Sequence, residues 1–462
     1  MQKSIEVSGA KDRDDGCRIL VMRPRRSSLP EFGPLSSMTS QLPPLPPPPA
    51  PLDERGRGRG QKSPRRTLPG WAKIAGLFVG VMLLFPIGSL GKALVAANNL
   101  TLAERTAEWM RDNDLGGVLN RVEAFWFSRK QPKAGGDPSR DIEAINVGDT
   151  EIADPGSAIV SHLPKPTNVP VPEGVTPVQN EGIWMPVGPV VGGAQAMYTT
   201  QVRPDSIHTS ILDGLVWMDP KLLRFAVHPG TQEPGGKWAV PSQVPMTDRL
   251  SLVAAFNGGF RMQDALGGFY LDGITHTPLR DGAASLVVYN DGVATVGKWG
   301  RDFTMSPEIK SVRQNLDLIV DNGGGLPKPG GNLPSDARAN PGVPADGLDN
   351  NANGAWGDTL GNKVLVWRSA VCVTGSGALI YGYGSGLGAR SLAELLLRAG
   401  CVRAMELDIN PAWTTFNFYA PTAFNDPASV RGTKLLPESE KSGNRYLSND
   451  SRDFVAVFTR PL

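Results

Sequence analysis

The sequence is poor in cysteine, histidine and net charge, and each shortage closes off a class of protein. Cys17, Cys372 and Cys401 are its three cysteines, too few for a disulfide framework. The four histidines (His162, His208, His228, His276) lack metal-ligand spacing, so no metal site is expected. Neither a Gly-x-Ser-x-Gly elbow nor a P-loop occurs. With 47 Lys+Arg against 45 Asp+Glu, there is no general electrostatic reason to bind nucleic acid, and none is expected as a partner.

A local absence is more informative. No residue from Ile74 to Gly91 carries a charge, and Lys73 and Lys92 close the two ends. Such a run reaches about 27 Å as a helix, enough to cross a hydrocarbon core. Pro86 predicts a kink, and Trp71 suits the headgroup region. The run starts too far into the chain for a cleaved signal peptide. Arg55, Arg57, Arg59, Lys62, Arg65, Arg66 and Lys73 precede it, against Lys92, Arg105 and Arg111 after it. The positive-inside rule therefore puts the N-terminus in the cytoplasm and the rest outside the cell. Residues 71–98 are expected to be the one transmembrane helix.

Glycine and proline, 54 and 41 residues, require long irregular segments. Residues 1–70 hold LPPLPPPPAPL at 42–52, a polyproline II run that cannot collapse into a core. They are expected to be a disordered cytoplasmic tail, a solvated segment or a ligand for an SH3-like partner. Its basic run adds attraction to anionic membrane lipid. Past the anchor, Thr101-Leu-Ala-Glu104 predicts a capped helix to about Arg111, and Val118–Phe127 a second one, so 99–128 is juxtamembrane. Residues 129–181 read as a linker or stalk.

Residues 182–462 form the domain. Strands are expected at Leu222–His228, Leu250–Phe256, Ser285–Tyr289, Ala294–Trp299, Leu316–Asp321, Lys363–Val373, Ala378–Tyr383, Val402–Ile409 and Phe454–Thr459. Asn290-Asp-Gly292 and Thr374-Gly-Ser-Gly377 predict tight hairpin turns. Ser391-Leu-Ala-Glu394 predicts a capping box for a helix that stops at Gly400. The class is α+β, with a mixed or antiparallel sheet core and few helices. Gly323–Gly357 is a long loop, and Asp349–Gly354 within it matches the first half of a calcium loop but lacks the closing Glu. Cys372 and Cys401 are compatible with a disulfide or with two buried thiols.

Chemistry concentrates in three places. In Val402-Arg-Ala-Met-Glu-Leu-Asp-Ile409, Glu406 and Asp408 would share one face of a strand, an arrangement that suits glycoside cleavage or metal binding. Ala255-Phe-Asn-Gly-Gly-Phe260 lets the backbone of Gly258 and Gly259 approach a ligand beside Asn257. Arg368, in an apolar strand, needs a partner, either a carboxylate of the fold (Glu406 or Asp408) or an anionic ligand.

Together these elements resemble the phosphodiester glycosidase family. Asn257-Gly-Gly-Phe260 matches its early turn, Arg368-Ser-Ala370 a strand end, Leu392-Ala-Glu-Leu395 its helix and Leu407-Asp408 its acidic strand end. Val312–Gly323 resembles the strand between them, so order and spacing agree from roughly 250 to 420. The resemblance implies hydrolysis of a sugar-1-phosphodiester at the anomeric carbon, without a cofactor. It implies Glu406 and Asp408 as catalytic, with Asn257, Gly258, Gly259 and Arg368 binding sugar or phosphate. The chain departs from the pattern after Asp408, where Ile409-Asn-Pro-Ala-Trp413 replaces a glycine run. Pro411 has no N–H for a phosphate, while Trp413 offers a face for a sugar. The two readings are a membrane-anchored extracellular hydrolase and a non-catalytic envelope protein that binds glycan on the same fold.

Overall fold

The computed structural model describes residues 88–95, 100–129, 131–138, 140–147, 151–152, 160–324, 340–349, 356 and 365–461. The tail expected at 1–70, most of the span expected at 71–98, and residues 350–355 of the calcium-like loop lie outside them. Among the described residues, no helix is long and apolar enough to cross a membrane.

Residues 88–94 are helical, and two further helices follow. Helix α1 (Leu102–Asp112) is capped as expected: Thr101 Oγ1 accepts from the Glu104 N–H, and the Glu104 carboxylate accepts from the Thr101 N–H. Helix α2 (Gly116–Arg129) follows. The segment expected as a stalk lies, where described, against the domain. Gly135 N–H donates to the Ile207 carbonyl, Gln131 bonds both the N–H and the carbonyl of Leu365, and Val169 N–H reaches the Gly182 carbonyl.

Strands then dominate. Besides a small sheet of Glu151–Ile152, Val190–Val191 and Ala194–Gln195, they are β1 (Met185–Pro186), β2 (Met197–Val202), β3 (Asp213–Met218), β4 (Leu223–His228), β5 (Leu252–Asn257), β6 (Phe269–Leu271), β7 (Ile274–Thr277), β8 (Ala284–Tyr289) and β9 (Ala294–Lys298). After them come β10 (Ile309–Gln314), β11 (Leu318–Asp321), β12 (Val343–Pro344), β13 (Val366–Thr374) and β14 (Leu379–Leu387). Helix α3 (Ala389–Arg398) leads to β15 (Cys401–Glu406), β16 (Phe416–Pro421), β17 (Val430–Lys434) and β18 (Phe454–Thr459).

These strands make an eight-stranded sheet, β12-β11-β15-β13-β14-β3-β2-β1, and two five-stranded sheets, β17-β16-β5-β18-β4 and β7-β6-β10-β8-β9. Every pairing within the three is antiparallel. The fold is therefore β-rich α+β with few helices.

Alternation along the strands builds two layers of core. In β3, Val216 and Met218 point into the interior shared by these three sheets, while Leu215 and Trp217 point under α3. Strands β13 and β14 do the same with Val371 and Val373 against Ala370 and Cys372, and Tyr381 and Tyr383 against Ile380. Both faces of the large sheet are thus covered, which explains why β15 is buried throughout.

Helix α3 starts before the point its sequence suggests. Gly388 is its N-cap, and Ser391, expected as the cap, sits one turn inside with its Oγ accepting from the Gly388 N–H at 2.9 Å. Gly400 ends it with φ of +89°, a conformation that favours glycine.

The open question about Cys372 and Cys401 resolves to a disulfide between them. It joins β13 to β15, the strands that carry Arg368 and Glu406. Closing a loop of sequence separation 29 restricts the unfolded chain by about 3–4 kcal/mol. Replacing both cysteines by serine is expected to lower the urea midpoint accordingly, and an unchanged midpoint would show that the cross-link adds nothing.

Asp213 opens β3 with both carboxyl oxygens buried and unbonded. Burial pushes its carboxyl well above the ordinary range, and the Arg398 charge opposes that only in part. The folded chain keeps a proton that the unfolded chain releases near pH 4, so stability falls as pH rises above that point. Asp213→Asn is expected to flatten the fall of the urea midpoint between pH 5 and 8. An unaltered slope would assign it to other groups.

Candidate functional site

The site forms where the ends of β5, β10 and β15 meet the start of β18. Asn257, the last residue of β5, has every hydrogen-bonding position filled from within. Its Nδ2 donates to the Gly258 carbonyl (2.8 Å) and Ser369 Oγ (3.1 Å), and its Oδ1 accepts from Tyr381 Oη (2.7 Å) and the Thr415 N–H (3.1 Å). It fastens the second sheet to the first. Gly258 and Gly259 are needed for close approach: a Cβ on Gly258 would lie 2.1 Å from Asp453 Oδ2, and one on Gly259 2.6 Å from Asn315 Oδ1.

Arg313 of β10 holds Asp453 with two bonds, Nε to Oδ2 at 2.8 Å and Nη2 to Oδ1 at 3.2 Å. Asn315 accepts from the Phe260 N–H and donates to the carbonyls of Glu406 (2.7 Å) and Leu407 (3.0 Å). The turn after β5 is thereby tied to the acidic end of β15.

Glu406 closes β15 and is fully buried against Arg368. Arg368 Nη1 donates to Glu406 Oε1, and Arg368 Nε donates to the Leu387 carbonyl at 2.9 Å. Burial pushes the Glu406 carboxyl up, Arg368 pulls it back, and the Asp408 charge adds to the rise. Glu406 Oε2 is buried with no hydrogen-bond partner.

Asp408 lies two residues past the strand, held by Ser369, whose N–H and Oγ both donate to its carbonyl. Its Oδ1 accepts from the N–H groups of Ile409 (2.8 Å) and Asn410 (3.0 Å). Burial raises its carboxyl to about 6 against the charges of Arg452 and Arg111 and those two backbone donors. A carboxyl tuned to that range suits proton transfer near neutral pH.

Trp413 is 4% exposed. Arg452 Cζ lies 4.6 Å from its ring centroid, Arg445 Cζ 5.2 Å and Lys441 Nζ 5.3 Å, while Leu100 and Ala412 pack beside it. Arg445 is anchored by Asp450 at 2.6 Å.

The structure therefore brings together Asn257, Gly258, Gly259, Arg368, Glu406, Asp408 and Trp413. Arg368 and Glu406 are turned on each other. The cations facing Asp408 and Trp413 (Lys441, Arg445 and Arg452) escaped the sequence reading. The polar run Asn449-Asp-Ser-Arg-Asp453 before a strongly apolar strand was their one local signal. Among the described residues, no group of three or more His, Cys, Asp or Glu side chains is placed to hold a metal ion.

The fold and site define a β-rich α+β protein with one tuned carboxyl beside a cluster of cations. No protein family matches the sequence, and neither does any curated protein. Among solved structures there is a weak resemblance to the catalytic domain of zebrafish N-acetylglucosamine-1-phosphodiester alpha-N-acetylglucosaminidase, which is auto-inhibited by its pro-peptide. The TM-score is 0.33 with 14% identity, over 57% of this chain and 82% of that one. A hypothetical protein from Synechocystis gives a TM-score of 0.29 and 12% identity, over 60% of this chain and 64% of that one. At such values the activity must be argued from the site itself.

Proposed function

We propose that the domain hydrolyses a sugar-1-phosphodiester at the anomeric carbon, with Asp408 as the base. The observation that carries this reading is the Asp408 carboxyl, buried and raised to about 6 beside Arg452 and Trp413. Water forms the new bond to the anomeric carbon, the bond from that carbon to the phosphate oxygen breaks, and the electron pair leaves on the phosphate. Asp408 takes the proton from water. A phosphate monoester leaves readily without a strong acid, so one free carboxylate is sufficient, and Glu406 keeps a structural role against Arg368. The Cys372–Cys401 disulfide fits display outside the reducing cytoplasm, in keeping with an anchor at 71–98 and a glycan substrate of the cell envelope.

The binding reading is favoured by a different observation. Glu406 is committed to Arg368, so the two carboxylates do not both face a ligand as a glycosidase pair would. Incubation of the protein with a panel of UDP-sugars and other sugar-1-phosphodiesters separates the two. Release of free sugar is expected; saturable glycan binding with no release from any member would replace the hydrolase with the binder.

A further inference from the structure

Helix α1 buries one side chain, and that side chain is a carboxylate. Leu102 stays 65% exposed, whereas Glu108 is 6% exposed. Glu104, Glu108 and Asp112 recur every four residues and so share one face of the helix. That face meets cations of the domain. Glu104 Oε1 is 2.6 Å from Lys441 Nζ, and Asp112 Oδ1 is 2.5 Å from Arg261 Nη2. Between them, Glu108 Oε1 is 3.2 Å from Arg452 Nη2, and its Oε2 is 3.5 Å from Arg261 Nη1. The attachment is thus mainly ionic, with Leu100 against Trp413 as its apolar part. The Asp112 contact, exposed at the end of the helix, is the one weakened most readily by salt, whereas the buried Glu108 pairs yield only where another anion takes the place of the carboxylate.

Glu108 leaves its partners incompletely served. Arg452 Nε and Nη1 and Arg261 Nη1 are buried without a hydrogen bond. Stacking over Trp413 uses the face of the Arg452 guanidinium and leaves those N–H edges empty. A carboxylate brings two oxygens to this place, whereas a phosphate brings three or four, and the guanidinium fork accepts it equally well. Without α1 the domain retains Arg261, Arg452 and Lys441, with Glu233 on Arg261 at 3.1 Å. Asp264 and Asp408 also lie within electrostatic reach of Arg452, yet neither bonds its empty N–H edges.

The geometry points to Arg452 and Arg261 as a binding site for a phosphate group, with Glu108 of α1 as its displaceable internal occupant. This deepens the hydrolase reading, since Arg452 replaces Arg368 as the cation that holds the substrate phosphate. It rests on that reading only for the remainder of the ligand.

Titration calorimetry of the full chain with inorganic phosphate tests it. Glu108→Gln is expected to bind phosphate at least tenfold more tightly than the unaltered protein, and adding Arg452→Gln is expected to abolish the gain. Glu104→Gln, which frees Lys441 and loosens α1 without touching the arginines, is expected to give a smaller gain. Unchanged phosphate affinity in a folded Glu108→Gln protein overturns the proposal. Should that variant not fold, unchanged affinity in Glu104→Gln overturns it instead. A gain in phosphate affinity without sugar release from any substrate would remove the hydrolase and keep the anion site. Sugar release by Glu108→Gln with no gain in phosphate affinity would do the reverse.

Discussion

Asp408→Asn is expected to lower sugar release by roughly 10²–10⁴-fold while leaving the fold intact. The amide oxygen of Asn can accept from the same Ile409 and Asn410 N–H groups, so the local turn survives. What is lost is the charge. With the carboxyl at about 6, the base form is in the majority at neutral pH, and the rate rises with pH, half-maximal near 6 and flat above. A rate that instead falls through pH 6 would make Asp408 an acid and overturn the assignment. Stability moves the opposite way. The folded-state carboxyl lies above its ordinary value of 3.8, so the folded chain binds the proton more tightly than the unfolded chain does. Stability is therefore greatest below pH 4 for this group and declines between about 4 and 6, by on the order of 3 kcal/mol. Asp408→Asn is thus expected to be at least as stable as the unaltered protein at pH 7. A side chain that costs stability where it stands is a candidate for function, and the loss of turnover in Asp408→Asn is what tests it.

Much of the frame could be read from the chain because its signals are local. Thr101 with Glu104, the turn Asn290-Asp-Gly292 and the strand Phe454–Thr459 each depend on residues within a few positions, and each forms as expected. Strand β2 was missed because its sequence, MYTTQV, is polar. Thr199, Thr200 and Gln201 are nonetheless buried, since neighbouring strands flank it on both sides. Strand β10 was missed for a related reason: Arg313 and Gln314 interrupt its apolar pattern yet are buried through specific partners, Asp453 for one and the Arg280 and Ser285 groups for the other. The acidic face Glu104, Glu108, Asp112 was legible as a spacing, but not its partners, because Arg261 and Arg452 lie more than a hundred residues away and come together only in the tertiary fold. Arg368 was legible as a residue that required a partner. Glu406 and Asp408 were the two candidates, and the pairing of β13 with β15, which places Ala370 opposite Glu406, selects Glu406.

That pair carries the second large effect. Glu406→Gln is expected to destabilise the protein by about 3–5 kcal/mol, because it leaves the Arg368 charge buried at 1% side-chain exposure without its carboxylate. Arg368→Met alone is expected to cost a similar amount. The double variant Arg368→Met with Glu406→Leu removes both charges and fills the space with apolar groups, and should recover most of the loss. Urea unfolding of the four proteins measures the coupling. Sugar release by the double variant then separates structure from chemistry. If Glu406 acts only through Arg368, the refolded double variant retains turnover, with the same rise through pH 6 that Asp408 sets. If turnover vanishes although stability returns, Glu406 touches the reacting atoms. The single-carboxylate mechanism would then give way to a pair, with Glu406 Oε2, buried and unbonded, as the atom that reaches the substrate.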